Sequence, residues 1–148
     1  MLEKMFPKQL NNDYKGSLIA MWVFVLLTAV TLVRSLIHMF APDGGAQSIA
    51  TIPLDSFTSG GAAVVVLTFS LWGLSQFLIG IIYLVVLWRY QALIPFMYLL
   101  IIVEYAMRIV LGFLKPIDMT GTAPGAIGNF IIVPIAFIML FLSLKTRT

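Results

Sequence analysis

Three long stretches of the chain contain no charged residue, and a fourth contains only two. The uncharged stretches are 16–33, 56–88 and 119–144, and the fourth is 92–114. A helix of about 20 apolar residues crosses the hydrocarbon core of a bilayer, which is roughly 30 Å thick. Because 61% of the 148 residues are hydrophobic and 10% are charged, the composition indicates an integral membrane protein and excludes an ordinary soluble domain.

Turn residues separate these stretches and set the ends of four predicted helices. The first apolar pattern stops at the sequence Ala-Pro-Asp-Gly-Gly, which begins at Ala41, and Pro95 suits the first turn of the third helix. The predicted helices cover about 16–40, 62–88, 92–114 and 128–144. We therefore predict an all-α fold, a polytopic four-transmembrane-helix bundle that forms a single domain over residues 1–148.

The two halves of the chain share a short pattern. The segments RSLIHMFAPDGG and RIVLGFLKPIDMTG start at Arg34 and Arg108, and each has a proline eight residues after its arginine. The offset of 74 residues is half the chain. This pattern allows two tandem helical hairpins, an arrangement that tends to place a shared site between the halves.

Lysine and arginine residues outside the helices predict the orientation. Six of them flank one face of the membrane, namely Lys4, Lys8, Lys15, Arg89, Lys145 and Arg147. Only Lys115 flanks the other face. Because positively charged flanks stay in the cytoplasm, we expect both termini to be cytoplasmic and loops 41–61 and 115–127 to lie outside. The first apolar run is too long for the core of a cleaved signal peptide, which has about 7–15 residues, so we interpret it as an anchor.

Polar side chains of three predicted helices reach one layer in the outer half of the membrane. Arg34 follows Lys15 by 19 residues and Arg108 follows Arg89 by the same number, so both lie about 28 Å from the inner surface. His38 and Glu104 are each one turn from an arginine, and the descending second helix adds three more side chains. We expect a ligand-binding layer of Arg34, His38, Trp72, Ser75, Gln76, Glu104 and Arg108.

The charges of this layer do not balance. Two arginines face one glutamate, and an excess cation in an apolar pocket favours an anionic or strongly accepting ligand. We expect Glu104 to pair across the bundle with Arg34 rather than with Arg108. A structural alternative stays open, in which the pair fixes helix packing together with Gln76 and Ser75 while Arg34 and His38 reach the outer interface.

Several classes of protein function require residues that this sequence does not contain. With no cysteine there is no disulfide, thiolate nucleophile or cysteine-bound iron–sulfur cluster. His38 is the only histidine, so the sequence predicts no metal site, and no catalytic triad or nucleotide-binding motif is present. Anchoring at the inner face accounts for the net charge of +3 without a nucleic acid partner. We therefore expect no catalytic residue.

Several features of the predicted helices occur together: a long first outer loop, glycines on the second helix (Gly73, Gly80), an arginine near the end of the third (Arg108, then Gly112 and Pro116) and a short fourth helix. In these features the chain resembles the DoxX-like family of small bacterial membrane proteins. Members that gave the family its name are associated with thiosulfate oxidation coupled to quinone. The resemblance implies a multi-pass protein of the bacterial cytoplasmic (inner) membrane, close to quinone or redox chemistry.

Three functions are compatible with these features. The first is non-catalytic binding of a quinone, a lipid head group or a small organic anion in the polar layer, with quinone or bound lipid as the candidate cofactor. The second is an accessory subunit of a larger membrane complex, whose partner proteins meet the apolar faces and the charges. The third is a small transporter that acts as a homo-oligomer, with Glu104 as the proton-coupled group. Membrane lipids are expected partners in each.

Overall fold

The chain folds into helices joined by ordered turns. A computed structural model describes residues 2–146, and Arg147, one of the residues used to predict the orientation, lies outside that range. The described part contains five α-helices and no strand: α1 (Leu2–Met5), α2 (Leu18–Phe40), α3 (Ser59–Arg89), α4 (Ile94–Leu114) and α5 (Pro124–Leu144). Helices α2 to α5 are long and apolar enough to cross a membrane. The predicted all-α, four-helix membrane fold is thus confirmed.

Local capping explains why two helices begin earlier than the sequence interpretation placed them. The side chain of Thr58 accepts a hydrogen bond from the backbone N–H of Gly61, so α3 starts at Ser59. Helix α5 starts at Pro124, because proline at the first position of a helix loses no intrahelical hydrogen bond. The fourth spanning helix is therefore 21 residues long, because it begins four residues before its predicted start at residue 128. The side chain of Ser17 caps the start of α2.

The bundle consists of two closely packed helical hairpins. Helix α2 packs mainly on α3, helix α4 packs mainly on α5, and the two hairpins meet chiefly through α2 and α5. Glycine allows the close approach within the first hairpin: a Cβ atom on Gly73 would lie 2.8 Å from Cβ of His38 and 3.1 Å from the backbone nitrogen of Met39. This spacing brings the last turns of α2 against the first half of α3.

Aromatic packing fills the centre of the bundle away from the charged residues. Phe24 of α2 is fully buried, with its ring 5.2 Å from the ring of Tyr83 and 5.8 Å from that of Tyr98. The hydroxyl of Tyr98 donates a hydrogen bond to the carbonyl oxygen of Ala20 over 2.6 Å. Because these contacts fix α4 against the first hairpin, the polar residues farther along α2 and α4 lie at a defined level.

Two loops meet at one end of the bundle, which we call the loop end. The loop 41–58 follows α2 and the loop 115–123 follows α4. The backbone N–H of Thr120 donates to the carbonyl oxygen of Thr51 over 3.0 Å, and the hydroxyl of Thr51 donates to the carbonyl oxygen of Gly121 over 2.9 Å. These hydrogen bonds join the connection of the first hairpin to that of the second and close the bundle at this end.

The carboxylate of Asp43 organises the longer loop. Its oxygens accept hydrogen bonds from the backbone N–H groups of Gly45, Gln47 and Ser48 over 2.9, 3.1 and 2.6 Å. Burial alone raises the pKa of Asp43, but these hydrogen bonds outweigh it and lower the pKa to about 2. Gly44 and Gly45 have φ values of 61° and 72°, a backbone conformation that glycine adopts without strain. The turn after α2 is therefore rigid, and it positions the carbonyl group of Gly44.

Candidate functional site

A chain of polar side chains connects three of the spanning helices near the loop end. Nη2 of Arg34 on α2 donates to Oε1 of Gln76 on α3 over 3.2 Å. Nε2 of Gln76 donates to Oε1 of Glu104 on α4 over 2.8 Å, and Glu104 forms a salt bridge with Arg108 of the same helix. Gln76 is 5% exposed, so this chain runs through the interior of the bundle.

The structure corrects the expected partner of Glu104. The sequence interpretation favoured an ion pair with Arg34, whereas the carboxylate contacts Arg108, four residues later on the same helix face. Gln76 lies between Glu104 and Arg34 and satisfies one polar group of each. Among residues 2–146, Arg34 forms no salt bridge with a carboxylate. Of the two arginines in this cluster, Arg34 is therefore the one without a carboxylate partner among the described residues.

Trp72 lies beside both arginines. The guanidinium carbons of Arg34 and Arg108 are 5.6 and 5.1 Å from the centre of its ring. Arg108 also lies 4.7 Å from the ring centre of Tyr105. An aromatic face attracts a cation by about 0.5–2 kcal/mol, which offsets only part of the cost of holding a guanidinium inside the bundle.

His38 is held in one orientation at the edge of this cluster. Its side chain is 3% exposed, and Nδ1 lies 2.7 Å from the carbonyl oxygen of Gly44. A carbonyl oxygen can only accept, so Nδ1 carries the proton of this hydrogen bond. The centre of the imidazole ring is 4.7 Å from that of the Trp72 ring. His38 follows Arg34 by one helical turn on α2 and so lies closer to the loop end.

Ser75 is the one predicted residue that the structure does not bring to the cluster. It is exposed, and its hydroxyl donates to the carbonyl oxygen of Leu71 within its own helix. Neighbouring residues of a helix point about 100° apart, so the turn that directs Gln76 inward directs Ser75 toward the outer surface of the bundle. Predicting depth alone, without the helix face, caused this error.

Tyr105 belongs to the cluster although the sequence interpretation did not include it. Nη1 of Arg34 donates to the hydroxyl oxygen of Tyr105 over 3.5 Å, and the tyrosine is 6% exposed. Its position three residues before Arg108 places the two on one helix face, and that spacing was a usable signal. Tyr105 thus provides a second neutral contact to Arg34 beside Gln76.

A cavity of about 610 Å³ opens beside these side chains, between the two hairpins. Its polar and aromatic wall is formed by Arg34, His38, Trp72, Tyr105 and Arg108. The rest of the lining comes from Val30 and Phe69 of the first hairpin, from Ile49, Ala50 and Ile117 of the two loops, and from the first turns of α5, where Asn129 is polar. None of the described residues that line the cavity is acidic, so its wall is cationic beside the two arginines and mainly apolar elsewhere.

One donor of Arg34, behind this wall, is left without a partner. Nε of Arg34 is buried and has no hydrogen bond to any of the described residues. A buried donor without an acceptor costs about 1–3 kcal/mol, and more when it is charged. The cavity can therefore hold a ligand whose hydrogen-bond acceptor or anionic group contacts Arg34 and whose remaining atoms lie in apolar surroundings. Among residues 2–146 there is no cluster of acidic or histidine side chains suited to a metal ion.

The four apolar helices make this an integral, multi-pass membrane protein. Within it, the cavity lies at the level where polar residues of three helices meet. No protein-family model matches the sequence, and no curated protein or solved structure is significantly similar to it.

Proposed function

We propose that this protein binds a membrane-soluble ligand in the cavity beside Arg34. The head of the ligand is a strong hydrogen-bond acceptor or an anion, as in a quinone, a lipid head group or a small organic anion. The observation that carries this proposal is the guanidinium of Arg34, which has no carboxylate partner and borders an apolar cavity. A cation in such surroundings costs at least a few kcal/mol, and a bound acceptor would offset part of it.

The size and lining of the cavity support ligand binding over a purely structural role. Ligand sites commonly have volumes of about 300–1,000 Å³, with apolar walls and a few polar groups that orient the ligand. The volume of about 610 Å³ falls within that range, and the charged groups of the lining, Arg34 and Arg108, lie together on one side. If the charges served only to hold the helices together, the salt bridge of Glu104 with Arg108 and the amide of Gln76 would suffice. A structural role of this kind would not require a cavity beside Arg34.

The proposal includes a location. The distribution of lysine and arginine favours cytoplasmic termini, and the resemblance to the DoxX-like family favours the bacterial inner membrane. In that orientation the loop end, and with it the cavity, faces outward. The resemblance also makes quinone a candidate ligand, with the protein acting as a binder and not as a catalyst.

Ligand-dependent stability tests the binding function. The purified protein is melted in detergent with short-chain quinones, anionic phospholipids or oxyanions, each at about a hundredfold excess over its dissociation constant. A true ligand should stabilise the protein by about 2.7 kcal/mol. Arg34→Gln should remove the gain, whereas Arg89→Gln, at the exposed far end of α3, should keep it. If no compound of the panel raises the melting temperature, the binding function is wrong.

Cysteine labelling tests the location. The natural chain has no cysteine, so single cysteines at Ser48, Thr122, Asn11 and Thr146 report without background. All four positions are exposed. An impermeant maleimide added to intact cells should modify positions 48 and 122 but not positions 11 and 146. Labelling of position 11 from outside would reverse the orientation and place the cavity in the inner half of the membrane.

A further inference from the structure

A second hollow lies on the outer surface of α2, directly beside Arg34. It is a groove of about 320 Å³ formed by Ala29, Val30, Val33, Arg34 and Ile37. Val30, Val33 and Ile37 are exposed, so in a membrane this groove faces the acyl chains of the bilayer. Val30 and Arg34 line both the groove and the cavity, which makes the two spaces adjacent.

The direction of the groove matches that of a lipid in the neighbouring leaflet. Arg34 lies near the loop end, and Val33, Val30 and Ala29 follow toward the middle of the bilayer. From Arg34 to Ala29 the helix rises about 8 Å, and Ile37 extends the groove by about one turn on the other side of Arg34. A molecule whose head contacts Arg34 would therefore extend its chain away from the loop end, toward the centre of the membrane. The groove lies along a single helix, which suits one chain.

The charge of the cluster selects among possible head groups. Arg34 and Arg108 provide two positive charges and Glu104 provides one negative charge, so a single added negative charge gives a neutral cluster. A neutral quinone leaves the excess cation in place, and a phosphate monoester, with a charge of about −1.5 to −2, exceeds it. A carboxylate and a phosphodiester each carry one charge and can accept two parallel hydrogen bonds from a guanidinium. A phospholipid, however, brings two chains to a groove that lies along one helix, whereas a fatty acid brings one.

We infer that the ligand is a long-chain carboxylate whose head group binds Arg34 at the cavity and whose alkyl chain lies in the groove on α2. This inference rests on the proposed binding function and specifies the ligand class. The ligand enters sideways from the bilayer, because the groove opens to the lipid-facing surface and shares Arg34 with the cavity. The same residue thus marks the boundary between the polar and apolar parts of the ligand.

Matched ligands test the inference in purified protein. Palmitate is compared with hexadecanol, which has the same chain without the charge, and with acetate, which has the charge without the chain. Hexadecyl phosphate and a decyl-substituted ubiquinone test the other head groups. Dissociation constants come from native mass spectrometry and from melting curves in a non-ionic detergent. Palmitate should bind at least tenfold more tightly than every other compound, and Arg34→Gln should remove that preference.

A groove variant and its control separate the chain from the head. Val33→Trp fills the groove and should weaken palmitate binding at least tenfold, whereas Leu78→Trp, at an exposed position of α3 away from the groove, should not. Equal binding of hexadecanol, tighter binding of the quinone or the phosphate, or an unaffected Val33→Trp variant would overturn the carboxylate inference and leave ligand binding itself intact. If none of the compounds binds, the proposed function fails as well.

Discussion

Gln76 of α3 donates a hydrogen bond from Nε2 to Oε1 of Glu104 on α4, over 2.8 Å. Its other amide atom, Oε1, accepts from Nη2 of Arg34 on α2, over 3.2 Å. One buried amide therefore joins the first hairpin to the second and separates a guanidinium from a carboxylate. Both of its hydrogen bonds involve charged groups, which makes each stronger than a bond between neutral partners.

Replacement of this amide should loosen the contact between the hairpins. Gln76→Leu keeps a side chain of similar size but removes both hydrogen bonds, so Arg34 and Glu104 each lose a buried partner. We expect a loss of about 1–3 kcal/mol in the free energy of unfolding, measured in mixed detergent micelles. Ser75→Ala is the matched control, because its hydroxyl bonds only to Leu71 of the same helix. Equal stability of Gln76→Leu and the natural protein would show that the amide does not connect the hairpins.

The partner of Glu104 can be identified by a double-mutant cycle. Glu104→Leu leaves the half-buried Arg108 without its carboxylate, and we expect a loss of up to about 3–5 kcal/mol, the range for a broken buried pair. Adding Arg108→Leu should recover much of this loss, because apolar replacement of both partners is close to neutral. Adding Arg34→Leu should recover less, since Gln76 separates Arg34 from Glu104. A larger recovery with Arg34→Leu would restore the pairing across the bundle that the sequence suggested.

The depth of each polar residue was predictable from the sequence, but its partner was not. Counting residues from the membrane boundary placed Arg34, Gln76 and Arg108 at one level, and the structure joins them there. Depth depends only on the helical rise. The choice between Arg34 and Arg108 as partner of Glu104 depends on how the helices are rotated, which follows from packing between the hairpins.

Helix rotation also explains the two differences in the membership of the site. Ser75 and Tyr105 are each adjacent in sequence to a residue of the cluster, yet only Tyr105 faces it. Helix α3 is apolar on all sides, so its sequence does not indicate which face is buried. On α4 the spacing of Tyr105 and Arg108 did indicate a common face. The sequence predicted a pocket at the polar layer, but not its lining by α5 and the loop 41–58, because that lining depends on how the loop folds over the hairpins.

Close contact of α2 with α3 should depend on Gly73. An added Cβ atom would lie 2.8 Å from Cβ of His38 and 3.1 Å from the carbonyl oxygen of Ser35, so one of the helices would have to move. Gly73→Ala should therefore cost about 1–3 kcal/mol. Gly112→Ala is the control, because a Cβ atom there meets nothing within 4 Å, and it should be neutral or stabilising by about 0.4–1 kcal/mol. Melting of both variants in the same detergent checks the prediction, and equal melting temperatures would contradict it.

The loop over the cavity should lose stability in acid through Asp43. Its carboxylate accepts three backbone hydrogen bonds that lower its pKa from 3.8 to about 2 in the folded protein. A lowered pKa means that the ionised form stabilises the fold, so the contribution is complete above about pH 4 and is lost as the pH falls toward 2. Asp43→Asn should cost about 1–2 kcal/mol at neutral pH, a figure reduced because solvent screens the partly exposed group.

The difference in melting temperature between the natural protein and Asp43→Asn should stay constant from pH 7 to 5 and shrink below pH 4. Asp55→Asn removes an exposed carboxylate bonded to the side chain of Gln47 and should have a smaller effect that does not follow this profile. A pH-independent difference for Asp43→Asn would show that the carboxylate charge does not hold the loop.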